Sequence, residues 1–198
     1  MSFDINRAAV VFLDCEEGVA AGVFAQGNDD EDRNRFVSSA AKLLSAVQEQ
    51  NLPALRVEVE FREGHPEVSS RNAYFSAAKA NGRLVAGTDA TKPMADLPGL
   101  VDLPRVVKKR IGGFAGSDLP HLLAGMDCDG IILAGLITRG AVLSTAAEAA
   151  DRDYRVAVLA DCSYDFDPEV HSVLLDRVLP LRASVITLAD LTPATVGN

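Results

Sequence analysis

GIILAGLITRGAVLSTAAEAADR, residues 130–152, reads as a strand, a turn and a helix in immediate succession. Gly130 to Leu136 is a short apolar run with β-branched isoleucines, the composition of a strand covered on both faces. Ala141 to Arg152 is rich in helix formers. A buried strand feeding directly into a helix is the repeating half of a parallel α/β sheet.

The alternation continues in both directions. Ala8–Asp14 (AAVVFLD), Pro53–Phe61 (PALRVEVEF), Pro104–Lys109 (PRVVKK), Tyr154–Asp161 (YRVAVLAD) and Ala183–Leu188 (ASVITL) read as further strands. Helical patterns cover Asp32–Gln50, Asp118–Met126 and Pro168–Val178, the last with Asp167 as its N-cap and Pro168 in its first turn. The fold expected is α/β, in three α/β/α layers with a six-stranded, mainly parallel sheet and right-handed crossovers, as one domain over residues 1–198. Ligands in such sheets bind beyond the carboxyl ends of the strands, where Asp14, Lys108 and the segment after Leu136 emerge.

Residues 62–99 form a long polar stretch rich in Gly, Ser and Pro, expected to be an extended connection with a short helix around Tyr74–Ala80. Connections of that length act as active-site lids or subunit contacts. The tail from Thr192 to Asn198 is expected to fray.

Composition narrows the partners. A net charge of −9 opposes attraction to nucleic acid or to an anionic membrane surface. The sequence has no run of apolar residues long enough for a membrane span, and its first residues do not resemble a secretion signal, so a cytoplasmic location is expected. Cys15, Cys128 and Cys162 form no CxxC pair and suit reduced, buried thiols. His65, His121 and His171 lack metal-ligand spacing, so neither a metal nor another cofactor is expected.

Three ordered pieces carry a resemblance. They are VVFLDCEEG with Asp14 at a strand end, VVKKRIGGFAGSDL with Lys108 six residues before Phe114, and GLITRGAVLSTA followed by a strand ending in Asp. Together they resemble the isochorismatase-like cysteine hydrolases over about Ala8 to Thr187. The match has departures: Glu16 stands where the family has Gln, and Gly112 and Gly113 replace Ser and Ala. The largest is Ala141, at the position of the family's attacking cysteine.

The resemblance implies Asp14 as acid–base group, Lys108 as its cationic partner, and the amides of Ile137 and Ala141 as donors to a developing oxyanion. It also implies a cis peptide at Leu136–Ile137, and assembly as a homodimer or homotetramer. A helix face bearing Val142, Ala146 and Ala149 either serves that assembly or packs on its own sheet. An alanine methyl cannot attack a carbonyl, so thiolate chemistry at position 141 is excluded. True isochorismatases also lack the cysteine and cleave a vinyl ether by protonation.

The activity expected is therefore hydrolysis of a small organic metabolite by an Asp/Lys pair, with vinyl-ether or C–N bonds as targets. Two alternatives stay open: a ligand-binding or regulatory protein without turnover, and a cysteine hydrolase whose nucleophile has been replaced by engineering. Arg62, Arg71 and Tyr74 in the connection, with His65, Asn72 and Phe75 beside them, are candidates for shaping the substrate site, an arginine there pairing with a ligand carboxylate. Phe114 and Arg139 are further candidates, Arg139 either facing the pocket or capping the helix. His171 is expected to lie far from the turn in a packed or surface role.

Overall fold

Strands β1 (Ala8–Leu13) and β4 (Gly130–Leu136) are buried along their whole length, as continuous apolar runs dictate. In the computed structural model, which describes residues 5–27 and 29–191, they form the centre of a six-stranded sheet. The others are β2 (Ala54–Val59), β3 (Arg105–Lys108), β5 (Arg155–Tyr164) and β6 (Ser184–Ile186). Their order is β3-β2-β1-β4-β5-β6, and every pairing is parallel. The Thr192–Asn198 tail lies outside the described residues.

Alternate side chains of β1 enter two separate cores. Val10 and Phe12 pack with α1 (Glu17–Phe24) and α2 (Asp29–Glu49), through Val19, Ala20, Phe24, Phe36 and Leu43. Ala9, Val11 and Leu13 face α4 (Leu119–Gly125) and α5 (Leu143–Ala150), through Leu119, Leu123, Ala146 and Ala149. Period-two alternation in one strand thus yields the three layers. Val142, Ala146 and Ala149 are fully buried on their own sheet, so they offer no face to a second subunit.

Most boundaries agree with the sequence reading to within a few residues. Two elements differ in a way that matters. Helix α1 is not anticipated, because Gly18 and Gly22 lower helix propensity; at Gly18 the reason for glycine is contact, since a Cβ would approach the Ala90 carbonyl oxygen to 2.8 Å. Strand β5 runs past Asp161 to Tyr164, with its pairing to β4 shifted between Leu133 and Gly135. That irregularity carries the chain back toward the end of β4 before α6 (Pro168–Val173) begins, capped by Asp167 through the amides of Glu169 and Val170. The short helix in the long connection is α3 (Ser76–Ala80).

Candidate active site where the strand order reverses

The sheet reverses its winding between β1 and β4, the place where an open α/β sheet leaves a crevice. Both strands end there in left-handed backbone, Asp14 with φ 54° and Ile137 with φ 64°. For a β-branched residue such a φ costs roughly 1–3 kcal/mol and persists only where the surroundings impose it. Gly135 makes the approach possible: its φ is 130°, and a Cβ there would collide with the backbone of Leu13. No cis peptide occurs among the described residues, so the cis bond expected at Leu136–Ile137 is absent and the left-handed Ile137 turns the chain instead.

Asp14 and Lys108, 94 residues apart, meet at this crevice with Lys108 Nζ donating to Asp14 Oδ2 over 3.0 Å. Nζ also lies 3.0 Å from Oδ1, an ion-pair contact outside hydrogen-bonding geometry, so Oδ1 has no hydrogen-bond partner. A second donation, to the Ile111 carbonyl at 2.6 Å, fixes the ammonium. Both side chains are buried. Burial raises the Asp14 carboxyl above its ordinary range, and the charge and hydrogen bond of Lys108 work against that rise.

Glu16 adds a second carboxyl. It is fully buried; Oε1 accepts from the Val59 amide at 3.0 Å and Oε2 has no partner. Burial, followed by the nearby charge of Asp14, pushes Glu16 well above the ordinary glutamate value. Glu58, also buried, is balanced by Arg56 and Arg105. One ammonium therefore faces two carboxyls, and Glu16, with no ion pair among the described residues, is the one that retains a proton to higher pH.

A cavity of about 160 Å³ opens on Asp14, with Lys108 and Glu16 behind its walls. Its walls include Asp14, Ile137, Val59, Tyr74 and Phe75, together with Gly22 and Gln26 near α1 and Arg83 from the long connection. Tyr74 closes over the turn, its hydroxyl 2.5 Å from where a Cβ on Gly140 would stand. Burial and the charge of Asp14 push that phenol up to about 12. Ala141 is buried among the α5-side core residues and is not one of the walls. A larger groove of about 890 Å³, between Tyr154 and Ser184, sits at the amino ends of β5 and β6, away from the ends where such sheets bind ligands.

The other candidates lie apart from the cavity. Arg62 is exposed and paired with Glu67 at 2.8 Å. Arg71 lines a separate depression with Ser69, Asn72 and Arg110. Phe114 is buried on the opposite side of the sheet against Tyr154, with Arg152 over its ring. His65 is buried against Phe61 and bonds the Arg83 carbonyl at 2.7 Å, and Asn72 accepts from the Phe75 amide. Arg83 and Gln26 are cavity residues that the sequence reading misses, since nothing in composition sets Arg83 above its neighbours Arg62 and Arg71.

Arg139 turns away from the cavity. Its Nε donates to Asp165 Oδ1 at 2.8 Å and its amide to Oδ2 at 2.9 Å, while the guanidinium lies 4.2 Å from the Phe166 ring centre. His171 is not remote: its Nδ1 lies 2.9 Å from the buried hydroxyl of Thr138 inside the turn. The extension of β5 brings α6 back, which corrects the expectation of a distant histidine. Residues Thr138–Val142 form a π-helical turn leading into α5, a form concentrated at functional sites.

The isochorismatase domain model matches residues 8–190. The chain belongs to the isochorismatase family. It is 25% identical, over 91% of its length and 89% of the relative's, to an uncharacterized isochorismatase family protein of Bacillus subtilis, YwoC. Its fold is similar to that of a cysteine hydrolase from Pseudomonas syringae pv. phaseolicola (TM-score 0.79, 19% identity, 95% and 92% of the two chains). An isochorismatase family protein from Desulfovibrio vulgaris gives 0.78 at 20% identity over 94% and 96%.

In this isochorismatase-family chain no thiol stands in for the residue at 141. Cys15, next to Asp14, is buried with its Sγ donating to the Leu13 carbonyl, and burial plus the charges of Asp14, Glu16 and Glu58 push its thiol well up, away from thiolate. Cys128 and Cys162 are buried too, and burial raises both. Among the described residues no group of three His, Cys, Asp or Glu is arranged to hold a metal ion, and no helix is long and apolar enough to cross a membrane.

Proposed function

We propose that this protein hydrolyses a small organic molecule by acid–base chemistry without a thiol, with Asp14 moving the proton and Lys108 balancing its charge. The observation that carries this reading is the Lys108–Asp14 contact of 3.0 Å at the cavity, with an alanine at the position of the family's nucleophile. A carboxyl raised by burial keeps its proton to higher pH than an ordinary aspartate, so it has one to deliver to the substrate.

For an enol ether the steps balance with water alone. Protonated Asp14 delivers its proton to the enol carbon, and the oxocarbenium charge so created is met by water at the oxygen-bearing carbon. The proton of that water returns to Asp14, and the hemiketal collapses to a carbonyl compound and an alcohol. Lys108 holds the carboxylate between the two transfers.

Isochorismate and simpler enol ethers offered to wild type and Asp14→Asn test the reading. General acid catalysis contributes about 10²–10⁴-fold, so Asp14→Asn is expected to lose at least 100-fold in kcat. Equal turnover by both removes the role of Asp14. Binding of these compounds with no turnover by either favours a ligand-binding protein, a reading supported by the burial of Ala141 away from the cavity walls.

A further inference from the structure

We propose that Arg83 is the ligand anchor of this site and that the molecule bound is a small monocarboxylate, its carboxylate on the Arg83 guanidinium and its body in the Asp14 cavity. The inference rests on the reading of that cavity as the binding site, and not on what Asp14 does there.

Of the two charged residues on the cavity walls, Asp14 and Arg83, charge pairing singles out Arg83. Lys108 is matched by Asp14, Arg62 by Glu67, and Arg139 by Asp165. Arg83 has no carboxylate partner among the described residues, yet it is a wall of the cavity. With Asp14 already balanced by Lys108, the unmatched charge on those walls is the positive charge of Arg83.

Position supports the same assignment. The Arg83 amide donates to the Ala78 carbonyl at 2.9 Å. Its own carbonyl sits 2.7 Å from Nε2 of buried His65; a carbonyl only accepts, so that nitrogen carries the hydrogen. The backbone is therefore held from both sides, and Leu84 beyond it is buried in left-handed backbone at φ 58°. The side chain spends one hydrogen bond, Nη2 to the Gly18 carbonyl at 2.9 Å, out of the five N–H donors of a guanidinium. The remaining donors provide the planar fork that matches a carboxylate.

Space sets the size of the ligand. Gly22 leaves room for the guanidinium, since a Cβ there would stand 2.7 Å from Nη2. A cavity of about 160 Å³ is close to the ~150 Å³ that holds a benzene ring and below the ~300–1,000 Å³ of drug-sized sites. One ring or a short branched chain fits, with the acid group at Arg83.

Benzoate and its neutral isostere benzamide, titrated into the protein and followed by amide chemical shifts, test the proposal. Wild type is expected to bind benzoate at least tenfold more tightly than benzamide, with shifts at Asp14, Val59, Phe75 and Ile137. Arg83→Gln is expected to lose that preference, and Gly22→Ala, which keeps the charge but displaces the guanidinium, to weaken benzoate severalfold. Arg83 is exposed, and the dispersion of the same spectra reports whether each variant is folded. Equal benzoate affinity in wild type and Arg83→Gln overturns the proposal. So does equal affinity for the two probes, an absence of binding, or shifts confined to Ser69–Ala73 and Arg110. Asp14→Asn separates the two readings: if it turns over enol ethers like wild type while Arg83→Gln loses benzoate, the anchor stands and the proposed chemistry falls.

Discussion

Asp165 holds Arg139 at two levels, one carboxylate oxygen accepting from the backbone amide and the other from Nε. The aspartate side chain is fully buried, so the end of β5 clamps the turn in which the family places its reacting group. Removing the carboxylate strands a buried amide and leaves a half-buried guanidinium without its main partner. Asp165→Ala is expected to cost roughly 3 kcal/mol, against roughly 1 kcal/mol for Asp165→Glu if the longer acid still reaches either donor. Urea unfolding at neutral pH checks both, and equal stability of Asp165→Ala and wild type would show that the clamp contributes nothing.

The Thr138–His171 contact makes the same turn sensitive to acid. Burial lowers the His171 pKa from 6.5, and Asp165 and Asp176, which face it, act in the opposite direction. The folded chain therefore binds a proton less readily than the unfolded chain. Stability from this group is present above pH 6.5 and declines as pH falls through the folded value, by up to about 1.4 kcal/mol per pH unit in that window. His171→Gln is expected to flatten the decline, measured as the pH dependence of the urea midpoint between pH 7 and 5. An unchanged slope in the variant would assign the acid sensitivity elsewhere.

Glycine at 135 is required by two independent features, a φ of 130° and a Cβ position inside the Leu13 backbone. Gly135→Ala is expected to destabilise the fold by several kcal/mol or prevent folding, because the obstruction is main chain and cannot rotate away. Gly64, with φ 74° but open space around it, is the control: its alanine variant pays only the backbone conformation. Comparable thermal midpoints for the two variants would refute the close approach of β1 and β4.

The contrast between what the sequence discloses and what it hides follows the range of the interactions. The two central strands are legible because burial on both faces demands continuous apolar runs, and Asp14 and Lys108 are legible as the first polar residues beyond such runs. Helix α1 is hidden because Gly18 answers to Ala90 in the long connection, a contact that local propensity does not encode. Arg83 is hidden for a related reason: His65, 18 residues earlier, places its carbonyl, while Arg62 and Arg71 in the same stretch go elsewhere. His171 is misjudged because the reading ends β5 at Asp161; the three further strand residues return α6 to the turn.

Glu16 predicts a pH response opposite in sign to that of His171. Its carboxyl is raised well above 4.5 by burial and by Asp14, so the folded chain holds a proton that the unfolded chain releases. The stability tied to that proton is complete below pH 4.5 and is lost as pH rises toward the folded value, at about 1.4 kcal/mol per pH unit while the two states differ by one proton. Glutamine keeps the shape, and its carboxamide oxygen can still accept from the Val59 amide, but it cannot ionise. Glu16→Gln is therefore expected to be more stable than wild type at neutral pH, with a gap that widens upward from pH 4.5. A Glu16→Gln protein less stable than wild type across this range would mean that Glu16 is ionised in the folded state, and the charge balance argued for the site would have to be redrawn around a second buried carboxylate.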